Sequence, residues 1–418
     1  MLIEFRVKNF RSLRDEQVLS LVASKDKTWV DTHTSATGLT AAPRLLKSAV
    51  IYGANASGKS NLIKALQYMQ AGVQLSATLQ PGPAVYMQFA LDAESGSQPS
   101  EFEVTFLVDG VRYQYGFAMT PQRIVREYLL VYKAFKPQRW FDRHFDEAAG
   151  KDVYTFGPGL KGPKNVWEHA TRSDALFLST AVQLNSEALR PAFNWFTKQL
   201  VILNERTPLS LTHQFTMQML KQDEGRKRIC DFLAAADISI ADIEVRTTPV
   251  SRFNLNLATG QTEKRTEEED QPFFSHVTDT GKATFNFADE SGGTQTMFFL
   301  SGPVLDILSK GLTLVVDELF ANMHTHLVQA LIRLFHRPDS NTGNAQLIFS
   351  THDTSLLDAY GLFRRDQIWF MEKKVDQSST LYSLSDYSPR KNEARGRGYL
   401  QGRYGAVPIL SGLFEAPH

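Results

Sequence analysis

Residues Gly53-Ala54-Asn55-Ala56-Ser57-Gly58-Lys59-Ser60 form a G-x-x-x-x-G-K-S string. Such a string is suited to holding phosphate. Its glycines permit backbone angles that turn successive N–H groups inward. A short apolar run, "SAVIY", precedes it, and "SNLIKALQYMQ" comes after it, with Leu62, Ile63, Leu66 and Met69 at helical spacing. A helix starting there aims its positive N-terminal end at the anion. Lys59 would reach the β- and γ-phosphates, and the Ser60 hydroxyl would bind Mg²⁺. Gly53, Asn55, Ser57, Gly58 and Asn61 complete the candidate cradle.

Two further strings carry chemistry. "LTLVVDE" is a buried-strand pattern whose C-terminal end presents Asp317 and Glu318. Asp317 suits a Mg²⁺ contact and Glu318 suits polarisation of an attacking water. Alone, an apolar run ending in two acids is also an ordinary strand end; coupled to the cradle it reads as functional. "ESGGTQTMF" places Ser291-Gly292-Gly293 before an apolar helical stretch, which makes either a second anion-binding helix end or a plain N-cap.

The elements that must position these residues can be read from periodicity. "LIEFRVKNF" alternates and predicts an edge-type strand. "EFEVTFLVDGVRYQYGFAM" alternates around Asp109-Gly110, a hairpin signal, and the strand-like pattern continues to about residue 145, predicting an antiparallel sheet. The Gly/Pro/Lys-rich stretch 150–165 reads as a loop. Residues 174–200 read as helix with Pro191 a break, and 211–236 also as helix. The polar stretch 258–271 reads as a mobile loop. "LTLVVDEL" and "AQLIFSTHD" are buried strands, and "DQIWFMEK" and "STLYSLSDY" a closing strand pair.

The bulk numbers narrow the class. A chain of 418 residues is too long for one compact core and fits two lobes or a domain with a large insertion. Formal net charge is zero, so no global field draws it to nucleic acid or membrane. The single cysteine, Cys230, excludes an internal disulfide and fits a reducing compartment. The N-terminus does not read as a signal peptide, and no apolar run approaches 18 residues. A cytosolic α/β protein without a membrane span is expected.

In order along the chain, these motifs resemble the ABC-ATPase class of P-loop NTPases, with a mixed sheet core, an antiparallel β lobe and a helical lobe. More narrowly, the chain is similar to RecF/SMC-like heads and to ATPases related to overcoming-lysogenization-defect proteins. "VKNFRSL" resembles that group's N-terminal strand motif, "ESGGTQ" its signature, "VVDELFANMH" its Walker B and D-loop, and "LIFSTHD" its switch histidine. The tail "YSLSDYSPRK...GYLQGRYGAVP" resembles bacterial members that accompany RloB/AbiL-type partners in phage defence.

The resemblance implies three segments: 1–185, an ATPase lobe; 186–285, a helical or inserted lobe; and 286–418, the returning ATPase lobe. It implies that two copies close head to tail around ATP and Mg²⁺, Lys59 and Ser60 of one facing Ser291 and Gly293 of the other. Asp317 joins Ser60 at the metal, Glu318 is the catalytic carboxylate, and His352 senses the γ-phosphate or is simply a packed strand-end histidine. Gln183 is the Q-loop candidate, with a solvent-facing glutamine as the alternative. Arg11 and Ser12 lie near the nucleotide or form an exposed basic turn. Phe320 stands where the D-loop usually carries an acid, which implies slow or stimulus-dependent hydrolysis.

The implied role is an ATP-driven sensor or motor subunit of an antiphage system, working as a homodimer or higher homo-oligomer. Its effector would be a separate nuclease or toxin of RloB/toprim type, because the chain after His352 lacks a nuclease-like acid cluster. A RecF-like DNA maintenance ATPase is the alternative. Arg390, Lys391, Arg395, Arg397 and Arg403 could grip DNA, RNA or an acidic partner, or form a solvated tail.

Overall fold

A computed structural model of the chain describes residues 1–80, 82, 86–133, 136–203, 209–255, 262–318, 323–387 and 394–408. By compactness the chain divides into two units. The first comprises Met1–Glu205, Lys310–Ala321 and Ile332–His418, and the second Arg206–Ser309 and Asn322–Leu331. Sequence reading puts the segment boundaries after residues 185 and 285, whereas the second compact unit takes 206–309 together with 322–331.

Two sheets dominate the first unit. The seven-stranded antiparallel sheet runs, in spatial order, Lys151–Phe156, Gln138–Asp146, Ile124–Tyr132, Val111–Met119, Ser100–Val108, Leu2–Lys8 and Gln17–Ser20. Asp109 (φ 49°) and Gly110 (φ 75°) both take positive φ in the expected hairpin turn, as a type I′ turn requires. Two expectations are corrected here. Leu2–Lys8 is not an edge strand, because Gln17–Ser20 covers its outer side. Lys151–Phe156 is a strand within the expected loop 150–165, paired residue by residue with 141–146.

The six-stranded sheet runs Leu200–Leu203, Thr313–Asp317, Gln346–Ser350, Ser48–Tyr52, Ile368–Lys373 and Ser379–Ser383. All neighbours are parallel except the last pair. Ser48–Tyr52, Thr313–Asp317 and Gln346–Ser350 are buried at every position, which is why they read as continuous apolar runs rather than alternating ones. The helix Lys59–Leu75, here the cradle helix, sinks Leu62, Ile63, Leu66, Met69 and Val73 into one core with Phe5, Phe102 and Phe117 of the first sheet and Ile51 and Val315 of the second. That burial fixes the direction of the helix start.

A buried ion pair ties the antiparallel sheet to helix Phe177–Gln183. Glu127 accepts the backbone N–H groups of Phe177 and Leu178, at 2.6 and 2.9 Å, at the start of that helix, and lies 3.7 Å from the Arg143 guanidinium. Burial pushes the Glu127 carboxyl above its ordinary range, and Arg143 opposes that push. The expected helix over 174–200 ends at Gln183 and resumes at Arg190. The break therefore precedes Pro191, which sits in the first turn of the second piece, where its missing N–H costs nothing.

The second unit holds helices Leu209–Leu220, Asp223–Ala235 and Gly292–Lys310, and an antiparallel sheet of Asp242–Leu255, Thr262–Thr278 and Gly281–Asn286. The charged stretch expected as a mobile loop is therefore mostly strand from Thr262 onward. Pro303 sits inside Gly292–Lys310 and cannot donate to Phe299; the Thr216 hydroxyl donates to that carbonyl instead, at 3.1 Å. Among the described residues no helix is long and apolar enough to cross a membrane.

Candidate functional site

The cradle lies where strand Ser48–Tyr52 hands over to the cradle helix. A Cβ on Gly53 would fall 2.3 Å from the Met371 carbonyl oxygen, so the backbone runs too close to Ile368–Lys373 for any side chain. Gly58 stands at φ 111°, and a Cβ there would meet Ser379 Oγ at 2.3 Å. Both glycines are thus demanded by space, and Gly58 by conformation as well. Gly58 is also the N-cap of the helix and gives it no side-chain cap; the Asn61 N–H already bonds the Gly58 carbonyl at 2.9 Å, and the N–H groups of Lys59 and Ser60 are the first-turn donors offered to an anion.

Lys59 is 4% exposed and its Nζ donates to the carbonyls of Gly53 (2.9 Å) and Ala54 (3.1 Å), folding across its own loop. Burial draws its ammonium below the ordinary lysine range, and Glu318 and Asp317 partly restore it. Ser60 Oγ donates to Asp317 Oδ1 at 3.2 Å, and that oxygen also accepts from Ser350 Oγ at 2.7 Å. Residues 257 apart in sequence thus meet at the ends of adjacent elements. Ser350 Oγ also receives the Glu318 N–H at 3.2 Å. Glu318 takes a left-handed φ of 52°, a strained conformation that turns its carboxylate onto His352 Nε2 at 2.8 Å.

Lys59, Ser60, Glu318 and His352 line one cavity of about 560 Å³, within the size range of ligand pockets, whereas Gly53, Asp317 and Ser350 are not part of its lining. Asn55, Ser57, Gly58, Lys59, Ser60 and Asn61 form its floor and Glu318 and His352 one wall. Arg11 and Ser12 stand in another wall, held by a clamp: Ser12 Oγ accepts from Asn61 Nδ2 at 2.8 Å and from Ser379 Oγ at 2.8 Å. Gln88, Lys373 and Gln377 also line the cavity, and sequence reasoning missed all three. No local string marks them. Gln88 arrives because the Arg11 N–H bonds the Met87 carbonyl at 2.6 Å, and Gln377 lies in the turn after Ile368–Lys373.

Not every expected residue joins this site. Gln183 ends its helix exposed and does not line the cavity, so the solvent-facing alternative holds. A glutamine on a helix carries no signature that separates the two. Ser291 and Gly293 belong to the second unit. There Ser291 is exposed and its Oγ accepts the Thr294 N–H at 3.1 Å, capping helix Gly292–Lys310. Phe320, Arg390 and Lys391 lie outside the described residues. Arg395 turns inward to the Phe363 carbonyl at 3.0 Å and is no part of an exposed basic grip, while Arg397 and Arg403 are exposed.

The donors present fit a nucleotide with Mg²⁺. Ser57 Oγ is buried with no hydrogen-bond partner, an acceptor or donor awaiting one. A hydroxyl and a carboxylate in contact suit a hard cation that keeps waters and phosphate oxygens as its other ligands. Strand, glycine loop, lysine-bearing helix and the Asp317 strand end, in this contact, define a P-loop NTPase. The chain belongs to the family described as "AAA domain, putative AbiEii toxin, Type IV TA system", whose model matches residues 48–358 and so more than half of it. It is an ATP-binding P-loop ATPase. A crystal structure of an SmcHead bound to the C-winged helix domain of ScpA aligns over 91% of this chain and 97% of that one, at 14% identity and a TM-score of 0.38. No curated protein matches the sequence.

Proposed function

We propose that the protein hydrolyses ATP in this cavity, that two copies close around the nucleotide, and that it serves as the sensor or motor subunit of an abortive-infection defence against phage with a separate effector. The observation that carries the catalytic part is the contact of Ser60 with Asp317 beside a Glu318–His352 pair. Lys59 and the first-turn N–H groups of the cradle helix hold the phosphates. Ser60 and Asp317 would hold Mg²⁺, which supplies charge neutralisation on the phosphate oxygens. Glu318 orients the attacking water and accepts its proton, and His352 fixes the Glu318 carboxylate and senses the γ-phosphate.

Pairing of copies rests on the second helix start. The Ser-Gly-Gly segment is an exposed helix N-terminus, open to a neighbour's phosphate. The defence role rests on the family's description, which names a toxin and a toxin–antitoxin system. The effector is then a nuclease or toxin of RloB/toprim type encoded beside the ATPase. A phage challenge of cells carrying that gene pair tests the role. Plating should fall with the wild-type ATPase and recover with Lys59→Ala. Equal plating by both would overturn the defence reading, and a survival defect confined to DNA damage would put RecF-like maintenance in its place.

A further inference from the structure

We infer that the C-terminal segment Arg395–Ala406 is a positioning element of the nucleotide site, setting the peptide group that aims Lys59; this rests on the reading of the loop as an ATP cradle. Ala54 N–H donates to the Ala406 carbonyl at 2.9 Å. That N–H belongs to the Gly53–Ala54 peptide, and in a trans peptide the C=O points the opposite way. The C=O of the same peptide is Gly53 O, which accepts Lys59 Nζ at 2.9 Å. Holding one side of the plane from the tail therefore fixes the direction of the other side, toward the lysine.

The tail is built to deliver that carbonyl. Ala406 stands at φ 56°, a conformation rare for alanine. Its N–H donates to Glu372 Oε1 at 3.2 Å, and its carbonyl takes a second donor, the Tyr399 hydroxyl, at 3.0 Å. Tyr399 stacks on Phe370 with ring centroids 5.3 Å apart, and Tyr404 stacks on the same ring at 5.7 Å. Tyr382 OH holds the Tyr404 carbonyl at 2.7 Å. The glycines of the string are spaces for these rings and acids. A Cβ on Gly405 would fall 2.6 Å from Tyr382 Oη, and one on Gly396 2.6 Å from Asp358 Oδ2.

The same segment also touches the chain after the switch histidine. Gly396 N–H donates to Asp358 Oδ1 at 2.8 Å, in the short helix Ser355–Asp358 that begins three residues beyond His352. The tail thus grips the entry of the phosphate loop and the exit of the γ-phosphate wall together. Its glycines and tyrosines, which in the sequence only separate the arginines of an expected basic grip, are used inward.

The test measures equilibrium affinity for Mg-ATP in the full chain carrying Glu318→Gln, so that turnover does not consume the ligand. Tyr399→Phe keeps the ring packing and removes only the hydroxyl donor; it should raise the dissociation constant about 3- to 10-fold, the scale of one hydrogen bond. Ala406→Pro removes the N–H and forbids the positive φ, and should weaken binding by at least ~10-fold. Ala406→Gly accepts that φ and should stay within about twofold. Wild-type affinity in both Tyr399→Phe and Ala406→Pro would overturn the inference. Should Ala406→Pro fail to fold, the Tyr399→Phe value alone decides. A Glu318→Gln parent that binds no ATP would instead overturn the nucleotide reading itself, with the inference falling alongside it.

Discussion

The two ends of one parallel sheet use polar residues in opposite ways. At the C-terminal ends of its strands, Ser60, Asp317 and Ser350 bond one another, Ser57 Oγ has no partner, and Glu318 and the loop after Tyr52 face a cavity. At the N-terminal ends, Thr313, Gln346 and Ser48 are just as polar, and they are sealed. Gln346 is fully buried; its Oε1 accepts from the Leu2 N–H and the Thr313 hydroxyl, and its Nε2 donates to the carbonyls of Leu2 and Leu46. Ser48 Oγ lies 2.9 Å from His336 Nε2 and accepts from Gln367 Nε2. The difference teaches that polarity in a strand does not mark a site. What marks one is polarity with unspent hydrogen-bonding capacity at the carboxyl edge, where open α/β sheets bind ligands.

The comparison makes a sharp demand. Changes at the carboxyl edge should alter nucleotide chemistry and spare stability, and changes at the other edge the reverse. The largest effects belong to the first class. Glu318→Gln should cut ATP turnover by roughly 100-fold or more while ATP still binds, since the amide keeps the shape and loses the proton acceptor. Lys59→Ala should lose binding by at least ~100-fold, because its ammonium is the charge that spans the loop carbonyls and, on the proposed reading, would reach the phosphates. Phosphate-release rates and a fluorescent-nucleotide titration measure the two. Turnover untouched in Glu318→Gln would remove that carboxylate from the mechanism.

Next in size is Gln346→Leu. It orphans the backbone N–H and C=O of Leu2 in a dry setting and should cost about 2–4 kcal/mol in urea unfolding. The affinity of the folded protein for ATP should not move. A shift in affinity would show that the sealed edge communicates with the open one, and would break the comparison.

The two helix starts sharpen the same contrast between spent and unspent groups. The cradle helix begins at a glycine with no side-chain cap, whereas Gly292–Lys310 begins at Ser291, whose hydroxyl already serves Thr294. The first should therefore bind phosphate in a single copy. On the proposed pairing, the second would contribute only when a partner's nucleotide competes for Ser291. Ser291→Ala should then lower turnover about 10-fold at saturating ATP and leave single-copy affinity unchanged. A tenfold loss of affinity at protein concentrations too low for pairing would place Ser291 in its own chain's site.

The contrast also explains what the sequence made legible. Lys59, Ser60, Asp317 and Glu318 sit in short strings with fixed backbone roles, so local spacing carries them. Arg11 is legible for the same reason, through the turn after Leu2–Lys8. Gln88, Lys373 and Gln377 reach the cavity by tertiary contact alone, and nothing beside them in sequence differs from an ordinary loop or strand end. Gln183 failed for the mirror-image reason, since a glutamine on a helix is common whatever it faces. The strand Thr262–Thr278 was hidden by its charge. Pairing with Asp242–Leu255, the cross-strand pair Thr247–Asp270 and the ion pair of Asp270 with Lys221, in the turn after helix Leu209–Leu220, outweigh its poor propensity.

The smallest effect tests the sealed edge by pH. The rings of His33 and His336 stack with centroids 3.9 Å apart, near Lys47 and Arg364. Burial draws the His33 imidazole down to about 4 and His336 well below its ordinary value, so both are neutral in the folded chain at pH 7. The unfolded chain protonates its histidines near pH 6.5. Between pH 6.5 and about 4 it therefore binds more protons than the folded chain, and stability falls as pH falls through that window. Above pH 6.5 the contribution is complete and the curve is flat in this respect. His33→Leu removes one of the two groups and should flatten the slope by about 1 kcal/mol over the window, measured by urea unfolding at several pH values. Carboxylates held low, such as Asp26 through its bonds to Thr28 and Arg365, add their own loss toward the bottom of the window, where unfolded carboxyls begin to take protons; that part is common to both proteins, so the difference between the wild-type and His33→Leu curves reads the histidine. An unchanged slope in His33→Leu would mean the ring is hydrated enough to take its proton in place, and the edge described as sealed would be open.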